Sequence, residues 1–197
     1  MLTVSHKHTG IIGLSGNARS GKDLLCELLS KQTKVTRLAL ADELKSNMRD
    51  FLISSFGVDP TDCSPQDKEV IRPLLVAYGG VRRKQSKGKY WTSRLTEKAT
   101  RFSKDSLVVI TDIRYDEYEE DELFWLKKIL GGQLVFIKRK FSDGTYNPPA
   151  NANERTNNKK LFKKADYINE WPDSIGSQYN LDGYAKNLLS WYASIQN

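Results

Sequence analysis

The chain contains few of the residues that characterise several large classes of protein. Among its 197 residues are only two cysteines, Cys26 and Cys63, and two histidines, His6 and His8. The cysteines lack the paired spacing of a zinc site, so we expect reduced thiols in a cytoplasmic compartment. No apolar run approaches the roughly 20 residues that span a bilayer, and the N-terminal segment has no stretch of signal-peptide length. These absences argue against a membrane protein and a disulfide-rich secreted protein.

Positive charge is in excess. The chain has 31 Lys and Arg against 24 Asp and Glu, a formal net charge of +7. This balance favours anionic partners such as nucleotides or nucleic acid, although a solvated basic surface has the same composition. The positions of the basic residues favour a functional interpretation, because eight of them fall in or beside predicted loops and helix starts: Arg19, Lys22, Arg72, Arg82, Arg83, Arg114, Arg139 and Arg155.

Strand patterns alternate with helical patterns along the chain, and its length suits a single domain. This alternation predicts an α/β fold of three layers, α/β/α, around a five-stranded parallel sheet that binds ligands at the carboxyl edge of its strands. We predict strands over residues 11–15, 35–40, 106–112, 133–139 and 165–171. We predict helices over residues 21–30, 42–57, 66–78 (ending at Gly79-Gly80), 90–102, 115–130 and 181–195. The polar segment 141–158 has no core face and is predicted to be mobile.

The most informative motif is "GLSGNARSGKD", between the first strand and the first helix. Gly16, Gly21 and Lys22 have the spacing of the phosphate-binding loop, or P-loop. Such a turn presents backbone N–H groups and the positive end of a helix dipole to an anion, and Lys22 would reach the β- and γ-phosphates of a nucleotide. A plain glycine-rich turn between strand and helix is the structural alternative.

Asp23 stands where this motif usually has a hydroxyl residue that binds magnesium. A carboxylate is itself a hard oxygen ligand, so Asp23 would hold Mg²⁺ directly or through a water. The alternative is an acid in the first turn of a helix, where it interacts favourably with the helix dipole.

Several blocks resemble, in order, the bacteriophage deoxynucleoside monophosphate kinases. They are "LSGNARSGKD", "LALADELK", "RPLLVAYGG" with "YWTSRL", "VVITDIRYDEYEEDELFWLKKILGGQLVFIKR" and "NERTNNKKLFKKADYINEW". The resemblance covers nearly the whole chain from Ile11 onward, and the loop of that family also ends in Gly-Lys-Asp. It implies a nucleoside-kinase-like P-loop NTPase fold, with ATP and Mg²⁺ at the loop and a nucleoside monophosphate in the facing cleft.

The resemblance also implies which residues bind each ligand. The phosphates of ATP would be lined by Gly16, Asn17, Ala18, Arg19, Ser20, Gly21, Lys22, Asp23 and Leu24. A helical region over about residues 42–105 would bind the monophosphate through Asp42, Lys45, Arg72 and Trp91. Residues from about 140 to 156 would form a small lid. Asp42 stands where the family has glycine. The structural alternative for Arg72 is an arginine on an exposed helix surface, and the alternative for Trp91 is a tryptophan in the hydrophobic core.

The end of the third strand carries a further pair, Asp112 and Arg114. Asp112 is placed to hold the magnesium shell or to orient the acceptor phosphate, and Arg114 to clamp a phosphate. A helix N-cap and a surface arginine are the alternatives. We also expect Arg139 to flank the lid and act on the transferring phosphoryl group. Glu154 matches a family glutamate, but the histidine that precedes it there is absent, so no catalytic task is assigned to it.

An acidic run follows, and a solvated face at a helix start is predicted rather than a metal site: Glu117, Glu119, Glu120, Asp121 and Glu122. Glu117 alone, one turn after Asp112, could point into the cleft.

We therefore expect an ATP-dependent (deoxy)nucleoside monophosphate kinase. The resemblance is compatible with a homodimer, and we expect the protein in the cytoplasm, which is that of a bacterial host if a phage encodes it. A membrane or nucleic-acid partner is not expected. Three alternatives stay open: another small-molecule P-loop kinase such as one resembling the dephospho-coenzyme A kinases, a polynucleotide 5′-kinase or nucleic-acid-binding ATPase, and a nucleotide-binding module without catalysis.

Overall fold

The middle layer is a parallel sheet of five strands in the order β2-β3-β1-β4-β5. The computed structural model describes residues 8–173 and 181–196. The predicted alternation and the five strands are confirmed. The strands are β1 (Gly10–Gly16), β2 (Val35–Leu38), β3 (Leu107–Ile110), β4 (Gln133–Lys140) and β5 (Tyr167–Pro172). The helices are α1 (Lys22–Ser30), α2 (Leu40–Phe56), α3 (Pro65–Gln85), α4 (Lys89–Phe102), α5 (Glu122–Phe124, continued by a π-helical turn over Trp125–Ile129), α6 (Ala152–Lys164) and α7 (Asp182–Ser194).

Helices cover both faces of the sheet, which makes the three predicted layers. On one face, Leu25 of α1 and Leu188 of α7 pack with Leu14. On the other face, Leu95 of α4 and Leu161 of α6 pack in a second cluster. Because strands buried on both faces need apolar residues at nearly every position, the central strand β3 is a continuous hydrophobic run, whereas the edge strands β2 and β5 carry polar residues. Within the described residues, no helix has the length and apolar character needed to cross a membrane.

Helices α2 and α3 form an arm with its own small core of Met48, Leu52 and Ile71. The prediction that the helix ends at Gly79-Gly80 is wrong, because α3 continues to Gln85. A Cβ atom at Gly79 would lie 3.1 Å from Leu44 Cδ2. Glycine therefore lets α2 approach α3 closely, and its cost of about 1 kcal/mol inside a helix does not end the helix.

The predicted helix over 115–130 is also wrong in its first half, since regular helix begins only at Glu122. The Asp121 carboxylate accepts hydrogen bonds from the N–H groups of Glu117 and Tyr118, at 2.9 and 3.3 Å. Side chains therefore satisfy backbone groups that a helix would have paired internally. Asp121 and Glu122 are 0% and 5% exposed, so these two acids do not belong to a solvated face.

The segment predicted to be coreless is partly helical. Asn151 accepts a hydrogen bond from Glu154 N–H at 2.8 Å and caps α6, while residues 141–151 stay irregular. Asn157 and Asn158 of α6 are buried, and the Asn158 side chain donates to that of Asn17. Polar residues thus form a buried helix face whose amide N–H groups donate to other polar groups, whereas the buried Asn157 Oδ1 has no partner among the described residues.

Burial raises the pKa of Glu122 to about 8. The native state therefore binds more protons than the unfolded chain, whose carboxyl titrates near pH 4.3, so the free energy of unfolding falls as pH rises through about 4 to 8. Glu122→Gln keeps an acceptor oxygen for the N–H groups of Arg114 and Tyr115 and removes the buried charge. We expect the variant to melt above the wild type near pH 8.5 and together with it only near pH 4, where the wild-type carboxyl is largely protonated in the folded and the unfolded state.

Thermal unfolding across this pH range checks the expectation, with the exposed Glu119→Gln as control. If the melting temperatures of the wild type and Glu122→Gln fall equally as the pH rises, a group other than Glu122 causes the pH dependence.

Candidate nucleotide-binding site

The turn from β1 to α1 has the backbone of a phosphate-binding loop. Gly16 and Gly21 have φ values of 136° and 94°, which favour glycine, and Arg19 also lies in the left-handed region with φ 62°. A Cβ atom would lie 2.4 Å from the Ile137 carbonyl oxygen at Gly16, and 2.3 Å from the Trp171 ring at Gly21. Both glycines are therefore required by conformation and by close packing. No side chain caps α1, so its first N–H groups face the loop and are available to an anion.

The Lys22 side chain folds back over this loop. Its Nζ donates to the carbonyl oxygens of Gly16 and Asn17, both at 2.9 Å. Burial, with the nearby positive charge of Arg114, lowers the pKa of Lys22 to about 8. The Lys22 ammonium is held by uncharged carbonyl groups and lies near the positive charge of Arg114. A bound anion would stabilise it, so this arrangement suits a phosphate group.

Three asparagines join the loop to the 141–151 segment and α6. Asn17 Nδ2 donates to the Asn147 carbonyl at 2.6 Å, and Asn147 Nδ2 donates to the Ala18 carbonyl at 2.9 Å. Asn158 Nδ2 donates to Asn17 Oδ1 at 2.7 Å. Sequence reasoning missed Asn147 and Asn158, since both lie more than a hundred residues from the loop and neither stands in a recognisable motif.

Glu154 is another residue that sequence reasoning left without a role. Its Oε1 accepts the N–H of Ala18 at 2.9 Å, and its Oε2 accepts the N–H of Ala150 at 2.6 Å. The carboxylate thus holds the start of α6 against the loop. The Asn-x-x-Glu spacing from Asn151 is a signal for a helix start, but it does not reveal the contact with the loop.

Glu154→Ala should raise the KM for ATP about tenfold and change kcat little, since a hydrogen bond to a charged group contributes about 1.5–3 kcal/mol and this one positions the loop. Initial-rate kinetics with varied ATP measure the effect. The matched control is Glu119→Ala, an exposed acid outside the loop contacts. An unchanged KM would show that the loop keeps its conformation without Glu154.

Asp112 lies at the carboxyl end of β3 and caps α2. Its Oδ1 and Oδ2 accept the N–H groups of Leu40 and Ala41, each at 2.8 Å. Burial raises the pKa of this carboxyl, and the two N–H groups oppose the rise. Asp112 is therefore not the N-cap residue of the helix that follows it, which Asp121 caps; it accepts from the first N–H groups of α2 through a tertiary contact.

Arg114 brings a second cation to the same edge of the sheet. The Arg114 backbone is fixed because its N–H donates to Glu122 Oε2 at 2.6 Å. Within the described residues the guanidinium makes no hydrogen bond or ion pair, and its charge acts on both Lys22 and Asp112. The structure therefore brings Lys22, Asp112 and Arg114 together, as expected for residues that follow the carboxyl ends of neighbouring parallel strands.

Asp23 and Asp112 were predicted to serve magnesium, and their surroundings differ. The Asp23 side chain is 80% exposed, with Arg37 Nε 3.9 Å from its Oδ1. It is therefore open to a cation, whereas each Asp112 oxygen already accepts one hydrogen bond. Residues 8–173 and 181–196 hold no group of three or more His, Cys, Asp or Glu side chains that could bind a metal. The donor set fits a magnesium ion that arrives with nucleotide phosphates and takes one or two protein carboxylates.

The Arg139 side chain contacts the loop, while its backbone carbonyl accepts the N–H of Asn147, in the segment predicted as a lid, at 3.0 Å. Its Nη1 donates to the Arg19 carbonyl at 3.0 Å, and its Nη2 lies 2.5 Å from the Asp173 carboxylate. Leu24 packs against the hydrophobic cluster around α1 and α7.

The predicted acceptor residues are spread along α2–α4 without contact with the loop. Arg72 has an exposed side chain paired with Glu69 at 3.0 Å. Trp91 is buried in the second hydrophobic cluster and its indole N–H donates to the Gly79 carbonyl at 3.2 Å, as the core alternative predicts.

Asp42 lies closer to the predicted metal ligand Asp23. Arg37 Nη1 donates to Asp42 Oδ2 at 2.7 Å and Arg37 Nε faces Asp23, while Lys45 Nζ lies 3.9 Å from Asp42 Oδ1. Roles for these residues in binding an acceptor stay predictions.

Comparison with known proteins identifies the fold. No protein-family model matches the chain, and no curated protein is significantly similar to it. A solved shikimate kinase from Bacteroides thetaiotaomicron is similar in structure, with a TM-score of 0.51 at 13% identity over 94% of this chain and 99% of that one. Dephospho-CoA kinase from Campylobacter jejuni gives 0.48 at 10% identity, over 93% and 97%, and TT1252 from Thermus thermophilus gives 0.49 at 17%, over 95% and 98%. The chain has the three-layer fold of P-loop kinases.

Proposed function

We propose that this protein transfers the γ-phosphoryl group of ATP to a (deoxy)nucleoside monophosphate, giving the diphosphate and ADP. The observation that carries the proposal is the loop with Lys22 folded over the uncapped start of α1, with Arg114 and Asp112 beside it. A kinase fold supports phosphoryl transfer to a small molecule. The ordered resemblance to the phage deoxynucleoside monophosphate kinases supports the choice of acceptor.

The chemistry requires alignment and charge neutralisation more than covalent help. Lys22 would contact the β- and γ-phosphates while the loop N–H groups hold the triphosphate. Arg114 would hold the acceptor phosphate, whose attacking oxygen is already ionised near neutral pH, so no side chain has to remove a proton. Asp23 and Asp112 would hold magnesium, which neutralises charge on the phosphates when bound.

The deciding experiment is a panel of ribo- and deoxynucleoside monophosphates with ATP and magnesium, scored by chromatography for diphosphate formation. We expect turnover of at least one monophosphate. Dephospho-coenzyme A and a 5′-hydroxyl oligonucleotide belong in the same panel. Turnover of either one without any monophosphate would overturn the proposed acceptor, and ATP hydrolysis stimulated only by DNA would indicate a nucleic-acid-dependent ATPase.

A further inference from the structure

A cavity of about 480 Å³ lies between β4, α6 and the 141–151 segment. Its size falls in the range of small-molecule sites, roughly 300–1,000 Å³. Aromatic, aliphatic, basic and amide side chains line it. The residues that matter to its chemistry are Phe162, Tyr146, Arg155, Lys159, Asn147 and Asn158.

Helix α6 separates this cavity from the predicted acceptor side. Asn157 of α6 donates to Glu117 Oε1 at 2.8 Å, on the side of α5, whereas its neighbour Asn158 lines the cavity. Neither Lys22 nor Arg114 lines it, and Asn17 is the single residue of the loop that does. The cavity therefore shares one wall with the loop and is otherwise a distinct site.

Aromatic surface is left accessible at the cavity. Phe162 packs edge-on against Phe136, with ring centroids 5.3 Å apart and planes at 76°. Phe162 and Tyr146 nevertheless remain 39% and 40% exposed. The Lys138 ammonium lies against both rings, with Nζ 3.6 Å from the Tyr146 centroid and 5.5 Å from the Phe162 centroid, and a stacking ligand would use the ring faces that it leaves open. Two partly exposed rings at one cavity provide the surface on which a planar ligand stacks.

Two of the basic residues at the cavity have no acidic partner within the described ranges. Arg155 and Lys159 lie one turn apart on α6, and neither has an acidic partner within 4 Å in the part of the chain that the structure describes. Lys138 differs, because it is paired with Glu170 at 3.2 Å. Two free cations on one helix face beside an apolar cavity favour an anionic group on the ligand.

The buried amides add polar recognition. Asn147 and Asn158 each donate from Nδ2, to the Ala18 carbonyl and to Asn17 Oδ1, respectively. The hydrogen bonds of the described residues include no donor to the Oδ1 atom of either one, and neither atom is among the buried atoms that lack a partner, so both are open to a ligand. Each residue is under 9% exposed, at 7% and 8%. A ligand with N–H groups on a ring edge would satisfy these two oxygens.

We propose that this cavity is a second ligand site, which binds a planar aromatic anion of nucleotide size independently of the P-loop. The ring stacks on Phe162 and Tyr146, the anionic group lies at Arg155 and Lys159, and ring donors bind the side-chain oxygens of Asn147 and Asn158.

Titration of the ¹⁵N-labelled full chain with AMP, without magnesium, tests the proposal because amide resonances report each site separately. We expect saturable shifts at Lys138, Tyr146, Lys159 and Phe162 in the wild type and equally in Lys22→Ala. Lys159→Glu should weaken this binding at least tenfold. Lys163→Glu, an exposed lysine on the same helix outside the cavity, is the matched control and should leave it unchanged. Adenosine and inorganic phosphate should each bind at least tenfold more weakly than AMP.

Three results would overturn the proposal. The first is the absence of saturable shifts at the cavity amides. The second is equal weakening by Lys159→Glu and Lys163→Glu, which would indicate diffuse attraction to a basic surface. The third is loss of the cavity shifts in Lys22→Ala, which would place the nucleotide in the loop alone. Thermal melts of each variant establish that it is folded.

Discussion

Lys22→Ala is expected to lower kcat for phosphoryl transfer by about 10²–10³, or about 3–4 kcal/mol of transition-state stabilisation. Lys22 Nζ is held 2.9 Å from two loop carbonyls, so the ammonium is positioned before the substrate arrives. Charge develops on the transferring phosphoryl group in the transition state, and no other lysine lies in the loop. Burial already lowers the pKa of Lys22, so we expect its removal to leave the protein folded.

The measurement is a coupled assay of ADP formation at saturating substrates, with a thermal melt of each variant. Lys31→Ala, an exposed lysine just beyond α1, is the matched control and should be indistinguishable from wild type. A Lys22→Ala variant with near-native kcat would contradict the assignment of the loop.

Arg114→Ala is expected to lower kcat/KM for the acceptor about 10²-fold, mainly through KM, because hydrogen bonds to charged groups contribute about 1.5–3 kcal/mol each. The guanidinium has no protein partner among the described residues, so the substitution breaks no contact within the fold. The backbone N–H of residue 114 keeps its bond to Glu122. Any loss of activity therefore reports on a ligand and not on the position of the segment.

Acceptor kinetics on purified variants measure this effect, with Arg101→Ala as the control because Arg101 is exposed on α4. Arg72→Ala belongs in the same series, because a large loss there would support the binding of the acceptor by Arg72 that the family resemblance implies. Unchanged acceptor kinetics in Arg114→Ala would remove that residue from the site.

Local sequence patterns predicted the strands and the loop. The run Leu107–Ile110 needs apolar residues on both faces, and the spacing of Gly16, Gly21 and Lys22 is set by the backbone of the turn. Both kinds of information lie within a few neighbouring residues, so a single sequence contains them.

Features that depend on distant contacts were not predictable in this way. Gly79 stands inside α3 and not at its end, and Leu44, on another helix, packs where a side chain at position 79 would lie. The contact of Glu154 with Ala18 joins residues 136 positions apart. The acids Asp121 and Glu122 resembled a solvated run because only their backbone partners reveal that they are buried. Tertiary packing decided each case.

The central claim is that the loop binds the triphosphate of ATP with Lys22 protonated. Isothermal titration calorimetry with magnesium and a non-hydrolysable ATP analogue, in two buffers of different ionisation enthalpy, tests it directly. In the protein without ligand the pKa of Lys22 is about 8, and bound phosphates favour the charged form of its side chain. When the analogue binds near pH 8.5, the complex should therefore take up a sizeable fraction of a proton from the buffer. Uptake should vanish near pH 6.5 and in Lys22→Ala. The absence of any binding heat under conditions where the protein is folded, or identical proton uptake in Lys22→Ala, would contradict the account.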